Sequence, residues 1–256
     1  MSQDTVFGLH AVEAVIQKDA DSILSVQIQQ GREDSRLSKL IDLMRQANIQ
    51  FDYVARKNLD TLVSGRHQGI VALVKAEVEK GEGDLEDILD ALASNKSTGS
   101  SLPFLLILDS VTDPHNLGAC LRSADAAGVH AVIVPKDKSA PLNSVAKKVA
   151  CGAAEVVPVI RVTNLARTMK WLQNYGIWIT GAAGEAEQDL YQTDLKGPMA
   201  IAMGAEGGGL RRLTREHCDQ LTKIPMVGSV SSLNVSVATG ICLFEALRQR
   251  SNVQEK

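Results

Sequence analysis

Three stretches in the second half of the chain carry residue types that can do chemistry, and each follows an apolar run. In residues 109–122, DSVTDPHNLGACLR, Asp113-Pro114 imposes a turn and Asn116 stands where it can cap the helix that follows. Leu117, Cys120, Leu121 and Ala124 recur at helical spacing as a buried stripe, and Arg122 projects from the opposite side. On spacing alone, Arg122 reads as a solvated surface arginine. Residues 203–210, MGAEGGGL, form a glycine-rich turn in which backbone can approach a ligand closely. The turn is not a dinucleotide fingerprint, because Glu206 stands where the second glycine would be. A carboxylate there would repel a pyrophosphate, which points to a ligand carrying positive charge or to a loop-ordering role. In residues 224–238, IPMVGSVSSLNVSVA, Ser231, Ser232 and Asn234 sit just ahead of an apolar helix. One of them caps it, and the polar density exceeds what a cap needs.

These segments need a scaffold, and the pattern around them supplies one. From Pro103 onward, strand and helix alternate, with strands that are short continuous apolar runs: PFLLIL, AVIV, IWIT and MAIAM. Such runs suit parallel strands covered by helices on both faces. The last helix, VSVATGICLFEALRQR, is too apolar for a surface, so it is either buried in its domain or part of a subunit interface. The first 75 residues read as a separate small α/β domain. Leu9, Val12, Val15 and Ile16 mark one helix; Leu37, Leu40, Ile41, Met44 and Ala47 mark another; ILSVQIQ, IQFDYV and GIVALV read as strands. Residues 76–101 between the domains are acidic and then rich in Ser, Gly and Asn, which predicts a flexible linker with at most a short helix around Leu85, Ile88, Leu89 and Leu92.

Composition narrows the class without naming a function. At 256 residues, 45% hydrophobic and 22% charged, the chain reads as a soluble protein of two domains. It has no run long enough to span a bilayer and no basic-then-apolar leader, so a cytoplasmic location is expected. Cys120, Cys151, Cys218 and Cys242 form no CxxC pair and read as packed, reduced thiols, with no metal site. The net charge of −3 conceals an uneven distribution: residues 77–90 hold seven acids and one lysine, leaving the rest at +3. That mildly basic body is compatible with RNA but does not demand it.

Taken together and in this order, Asn116 with Arg122, then Gly204-Ala-Glu206-Gly, then Ile224-Pro-Met ahead of Ser231-Ser-Leu-Asn234-Val-Ser-Val-Ala, resemble the three motifs of the SpoU/TrmH (SPOUT) RNA 2′-O-ribose methyltransferases. The N-terminal domain, with His67-Gln68-Gly69-Ile70, is similar to the RNA-binding domain of the same enzymes, itself akin to a ribosomal-protein fold. The likeness spans nearly the whole chain except residues 76–101. It implies an α/β fold: a small RNA substrate-binding domain over residues 1–75, and a parallel-sheet methyltransferase domain with a deep trefoil knot over 102–256. Threaded connections are essentially absent from protein folds, so the knot comes from the resemblance alone.

The resemblance implies a homodimer that transfers a methyl group from S-adenosylmethionine to the ribose 2′-hydroxyl of a guanosine in 23S ribosomal RNA. The implied catalytic residues are Arg122, Asn116, Glu206, Ser232 and Asn234. The cofactor would be held mainly by backbone at Gly204, Ile224 and Leu233. Arginine essentially never deprotonates in a protein, so Arg122 is expected to act as a cation that holds a phosphate and steadies the incipient alkoxide. Asn116, Ser232 and Asn234 would orient it and the ribose, and Glu206 would fix Arg122 or order the glycine loop. Asn116 and Arg122 lie about 120° apart around an ideal helix, so other segments must close the site between them. A tRNA ribose methyltransferase and an RNA-binding protein without catalysis are the alternatives. The extra N-terminal domain weighs against the first and the intact motif residues against the second. A dinucleotide-dependent dehydrogenase is disfavoured by the missing second glycine.

Overall fold

The computed structural model describes residues 3–32, 34–63, 65–75, 79–94 and 102–251. The chain divides into two units, Met1–Val78 and Glu79–Lys256. The first carries β1 (Gln3–Phe7), α1 (Leu9–Asp19), β2 (Ile23–Gln29), α2 (Ser35–Gln46), β3 (Phe51–Val54), α3 (Arg56–Leu62) and β4 (Ile70–Lys75). Its sheet runs β1-β4-β2-β3, with β4 antiparallel to both neighbours and β2 parallel to β3. The stripes predicted from spacing are the core: Leu9, Val12, Ile16, Leu37, Leu40 and Met44 pack on Val26, Ile28, Ile70 and Ala72. The hydrophobic periodicity does not pick out β1 or α3. Two of β1's five residues are half-buried and the rest exposed, and α3 buries only Leu59, so neither leaves an apolar pattern to read.

The second unit holds α4 (Glu82–Ser94), β5 (Phe104–Leu108), α5 (Pro114–Ala126), β6 (Ala131–Pro135), α6 (Ser144–Ala150), α7 (Ala153–Val156) and β7 (Val159–Val162). It continues with α8 (Leu165–Asn174), β8 (Trp178–Ala182), β9 (Met199–Met203), α9 (Arg212–Glu216), β10 (Gln220–Thr222) and α10 (Val235–Ser251). The sheet is parallel throughout, in the order β10-β8-β9-β5-β6-β7. β5 shows why its sequence is continuously apolar. Phe104, Leu106 and Leu108 enter the cluster containing α5 and α10, while Leu105 and Ile107 enter the opposite cluster containing α4 and α8.

Residues 79–94 correct the expectation of a flexible linker. Lys80 pairs with Ile160, and Leu85 and Leu89 are fully buried against Ile160, Val162 and Met169. The acids of residues 79–90 lie on the outer face or do structural work. Asp84 accepts from the Gly81 amide at 2.8 Å, and Glu82 accepts from the Thr163 amide at 3.0 Å, which draws its carboxyl below the usual range. Residues 76–78 and 95–101 of that stretch lie outside the described residues.

Burial pushes the thiols of Cys120, Cys218 and Cys242 up to about 11, 12 and 12, so these three are inert packing groups. Cys151 departs from the packed reading: it is exposed, and it caps α6 in the left-handed region at φ 52°.

The last helix is anchored at its C-terminal end by side chains. Gln249 is buried and bonds both the Leu195 amide and the Thr193 carbonyl at 2.9 Å, and Glu245 accepts from Gln249 and from Arg248. Arg250 donates to the Gly197 and Leu102 carbonyls and stacks over the Phe104 ring. Its other face stays open, with Val237 and Phe244, seven residues apart, each about half exposed.

Candidate active site

The three chemistry-bearing segments leave β5, β9 and β10, and parallel pairing puts the carboxyl ends of these strands on one edge of the sheet, where open α/β sheets bind ligands. α5 starts with Pro114 at its first turn and is capped by Asp113, which accepts from the His115 amide at 2.9 Å. Asn116 is therefore not the cap. It lies one turn inside the helix, 8% exposed, and its amide is free to face the other segments. The predicted stripe of Leu117, Cys120, Leu121 and Ala124 is buried, and Arg122 is exposed on the far side.

The glycine turn closes on itself. Ala205 and Gly209 exchange two backbone hydrogen bonds, at 3.1 and 2.9 Å, and Gly207 and Gly209 take φ of 76° and 61°. A Cβ on Gly204 would stand 2.0 Å from the Gly209 carbonyl carbon, so only glycine fits there. The end of the turn is fixed by Asp109, fully buried just after β5, which accepts from the Arg211 amide at 2.9 Å and from its guanidinium at 2.5 Å. Sequence reasoning gave Asp109 and Arg211 no role. The available signal was an acid directly ending a continuous apolar strand.

Glu206 joins the segments. One carboxylate oxygen accepts from Asn234 Nδ2 at 2.9 Å and the other from Asn116 Nδ2 at 3.4 Å, while Asn234 Nδ2 also reaches Asn116 Oδ1 at 3.0 Å. Asn234 in turn caps α10, accepting from the Ser236 amide and hydroxyl at 2.9 and 2.6 Å. The carboxylate thus ties the glycine turn to α5 and to the start of α10, with its charge met by two amide groups. Arg122 is not drawn into this triangle. Its described partner is Cys151 Sγ at 3.6 Å, and that thiol donates to the Lys148 carbonyl at 3.7 Å. Ser232 lies exposed in the segment before α10 and enters no hydrogen bond among the described residues. The structure therefore gathers Asn116, Glu206 and Asn234, and leaves Arg122 and Ser232 outside that network.

The backbone around the triangle suits a ligand held without a side-chain code. Ile224 and Leu233 make no hydrogen bond among the described residues, so their polar backbone groups remain available, while Gly204 packs its α-carbon against Gly209 of the same turn. A cleft of about 420 Å³ lies along the same edge, at the ends of β6 and β7, lined by Pro135, Asn164 and Arg212 and by Arg211 of the clamp.

Fold and site define an α/β protein that gathers three motif loops at the carboxyl edge of a parallel sheet and carries a second small α/β unit. Residues 103–244 match the SpoU rRNA Methylase family, and residues 5–79 match the RNA 2′-O ribose methyltransferase substrate-binding family. The chain belongs to the SpoU rRNA methylase family. It is 59% identical over 250 residues to a protein of Photorhabdus laumondii named 23S rRNA (guanosine-2′-O-)-methyltransferase RlmB, covering 97% of this chain and 99% of that one. The protein of the same name from Escherichia coli K12 is 59% identical over 249 residues, with 97% and 99% covered. Among solved structures, the SpoU methyltransferase AviRb of Streptomyces viridochromogenes, in complex with AdoMet, shares the fold at a TM-score of 0.71 and 24% identity, covering 98% of this chain and 91% of that one. The TrmH/SpoU tRNA modifying enzyme of A. aeolicus, at 29% identity and a TM-score of 0.56, covers 67% of this chain and 85% of its own.

Proposed function

We propose that the protein transfers a methyl group from S-adenosylmethionine to the ribose 2′-hydroxyl of a guanosine in 23S ribosomal RNA, in the cytoplasm and as a homodimer. The observation that carries this reading is the Asn116–Glu206–Asn234 triangle beside the glycine turn, in a chain 59% identical to 23S rRNA guanosine methyltransferases over 97% of its length. S-adenosylmethionine supplies a methyl group already activated on a sulfonium. The protein must then hold donor and acceptor in line and stabilise charge on the acceptor oxygen. Backbone at Gly204, Ile224 and Leu233 holds the cofactor. The triangle keeps the glycine turn and the start of α10 in register, and Asn116 and Asn234 hydrogen-bond the ribose. Arg122 stays cationic, grips the adjacent phosphate and steadies the developing alkoxide, with Ser232 as a further contact. The trefoil knot belongs to the same reading. It rests on the family resemblance.

Ribose-methylation mapping of total RNA from a deletion strain tests the assignment. One guanosine of 23S RNA should lose its 2′-O-methyl group and regain it when the gene is restored. A loss confined to tRNA would replace this reading with the tRNA alternative, and an unchanged map would leave an RNA-binding protein without catalysis. The homodimer is supported by the open apolar face of α10 at Val237 and Phe244 and by the exposed Val227 and Val230 just before it. Light scattering at micromolar concentration should give twice the chain mass, and a monomer would contradict the pairing.

A further inference from the structure

The first unit is uncharged over residues 1–75, with nine acids and nine Lys or Arg. Three loops meet at one end of its sheet: the β1–α1 turn at Gly8, the β2–α2 loop, and residues 65–69 leading into β4. They are tied by hydrogen bonds from the Gly8 amide to the Ile70 carbonyl, from the Gln29 amide to the Gly69 carbonyl, and from the Leu9 amide to Gln68 Oε1. Gln68 and Gly69 both take positive φ, 50° and 74°, and a Cβ on Gly69 would stand 2.7 Å from Arg32 Cδ. Buried His67 sets this bend: its Nδ1 accepts from the Gly69 amide at 3.1 Å, which leaves the proton on Nε2, 2.9 Å from Asp60 Oδ1. His67-Gln68-Gly69 is therefore a frame that holds the three loops together.

What the frame presents is basic. A groove of about 220 Å³ between α1 and α2 is lined by Leu9, His10, Glu13, Arg36, Lys39 and Leu40. Arg32 packs against Gly69 and reaches Asp34, the cap of the helix that carries Arg36 and Lys39. Of the nearby acids, Asp34 is already committed. It accepts from the Leu37 and Arg36 amides at 2.9 and 3.1 Å and from Arg32 at 2.8 Å, and the Leu37 bond above all, then Arg32, holds its carboxyl below the usual range. Glu13 lies 3.9 Å from His10. Arg36 and Lys39 have no carboxylate partner among the described residues, and both project from one side of α2 at a spacing of three. Neither α1 nor α2 has an acid in its first turn. Cations near the start of a helix oppose its dipole, so the arrangement costs the fold a little and leaves a concentrated positive field.

We propose that this groove is the seat of the RNA phosphodiester backbone on the first unit, with Arg36 and Lys39 each neutralising one phosphate and Arg32 extending the track. The proposal rests on the RNA reading above and locates where that RNA is gripped. Its signature is counterion release: each phosphate contact adds about 0.7 to 0.9 to the slope of log affinity against log salt.

The experiment compares the full-length protein with R36Q/K39Q, both substitutions exposed, by filter binding to deproteinised 23S RNA from 50 to 300 mM salt. S-adenosylmethionine calorimetry and thermal melting run alongside. The double variant should bind RNA at least about 10-fold more weakly at low salt, with a slope shallower by about 1.5 to 2, unchanged cofactor affinity and an unchanged melting point. Its methylation defect should lie in KM for RNA. E13Q should shift affinity the other way. A native slope and affinity in R36Q/K39Q, or a weakened affinity with the native slope, overturns the groove. Competition by poly-glutamate as effective as RNA at matched salt overturns it in favour of an acidic protein partner. Failure of the unmodified protein to bind 23S RNA at any salt would instead overturn the RNA reading itself.

Discussion

Arg122→Ala lowers methyl transfer by about 100-fold or more while cofactor binding stays nearly unchanged, the loss expected when a preorganised cation is removed from developing charge. The side chain is exposed off the buried stripe of α5 and its hydrogen-bond partner among the described residues is Cys151 Sγ, so its removal should leave the fold intact. Arg122→Lys separates two mechanisms. Lysine keeps the charge but loses the planar fork and gives up its proton far more readily. A cation that grips a phosphate through two N–H groups is poorly replaced, so the lysine variant should be nearly as slow as alanine at every pH. A true base would instead leave lysine with substantial activity that rises with pH. Single-turnover rates across pH decide, and near-native activity in Arg122→Lys would sink the cationic mechanism.

Gly204→Ala weakens S-adenosylmethionine binding by about 10- to 100-fold, the equivalent of about 1–3 kcal/mol of overpacking. The added methyl would lie 2.0 Å from the Gly209 carbonyl carbon, 2.2 Å from its oxygen and 2.2 Å from the Leu210 nitrogen. None of these is the end of a flexible side chain. The turn cannot yield locally, because the Ala205–Gly209 pair closes it and the Asp109–Arg211 clamp holds its exit. Gly208→Ala is the matched control, with open space around the new Cβ and no positive φ, and should bind like the native protein. Calorimetry on both variants tests this, and native affinity in Gly204→Ala would show that the turn does not support the cofactor.

These two expectations differ in how much of them was legible beforehand. Gly204 belongs to a composition that announces a tight turn, and the clash distance only adds the reason why alanine fails. For Arg122, helical spacing correctly placed it off the buried stripe. It could not say what faces it, and the thiol of Cys151, from the far end of another helix, was not foreseen. Asn116 shows the limit of local rules. A polar residue two positions after Asp113-Pro114 looks like a cap, but Asp113 already supplies that bond, which leaves the Asn116 amide for Glu206 and Asn234.

What depends on neighbours a few positions apart can be read along the chain. The continuous runs of β5, β6, β8 and β9 become strands covered on both faces, and the stripes of α1, α2 and α5 become the cores they face. Burial repeats with the period of the backbone, so it can be read along a line. That α4, acidic on its outer face, belongs to the second unit follows from packing, because two buried leucines outweigh a charge count taken over both faces. The same holds for the site. Glu206 meets Asn116 across 90 positions and Asn234 across 28, and Asp109 clamps Arg211 across 102. Those meetings follow from a strand order in which β9 inserts beside β5 and β8 beside β9. That order is set by the packing of whole faces against one another, and no window along the chain contains it.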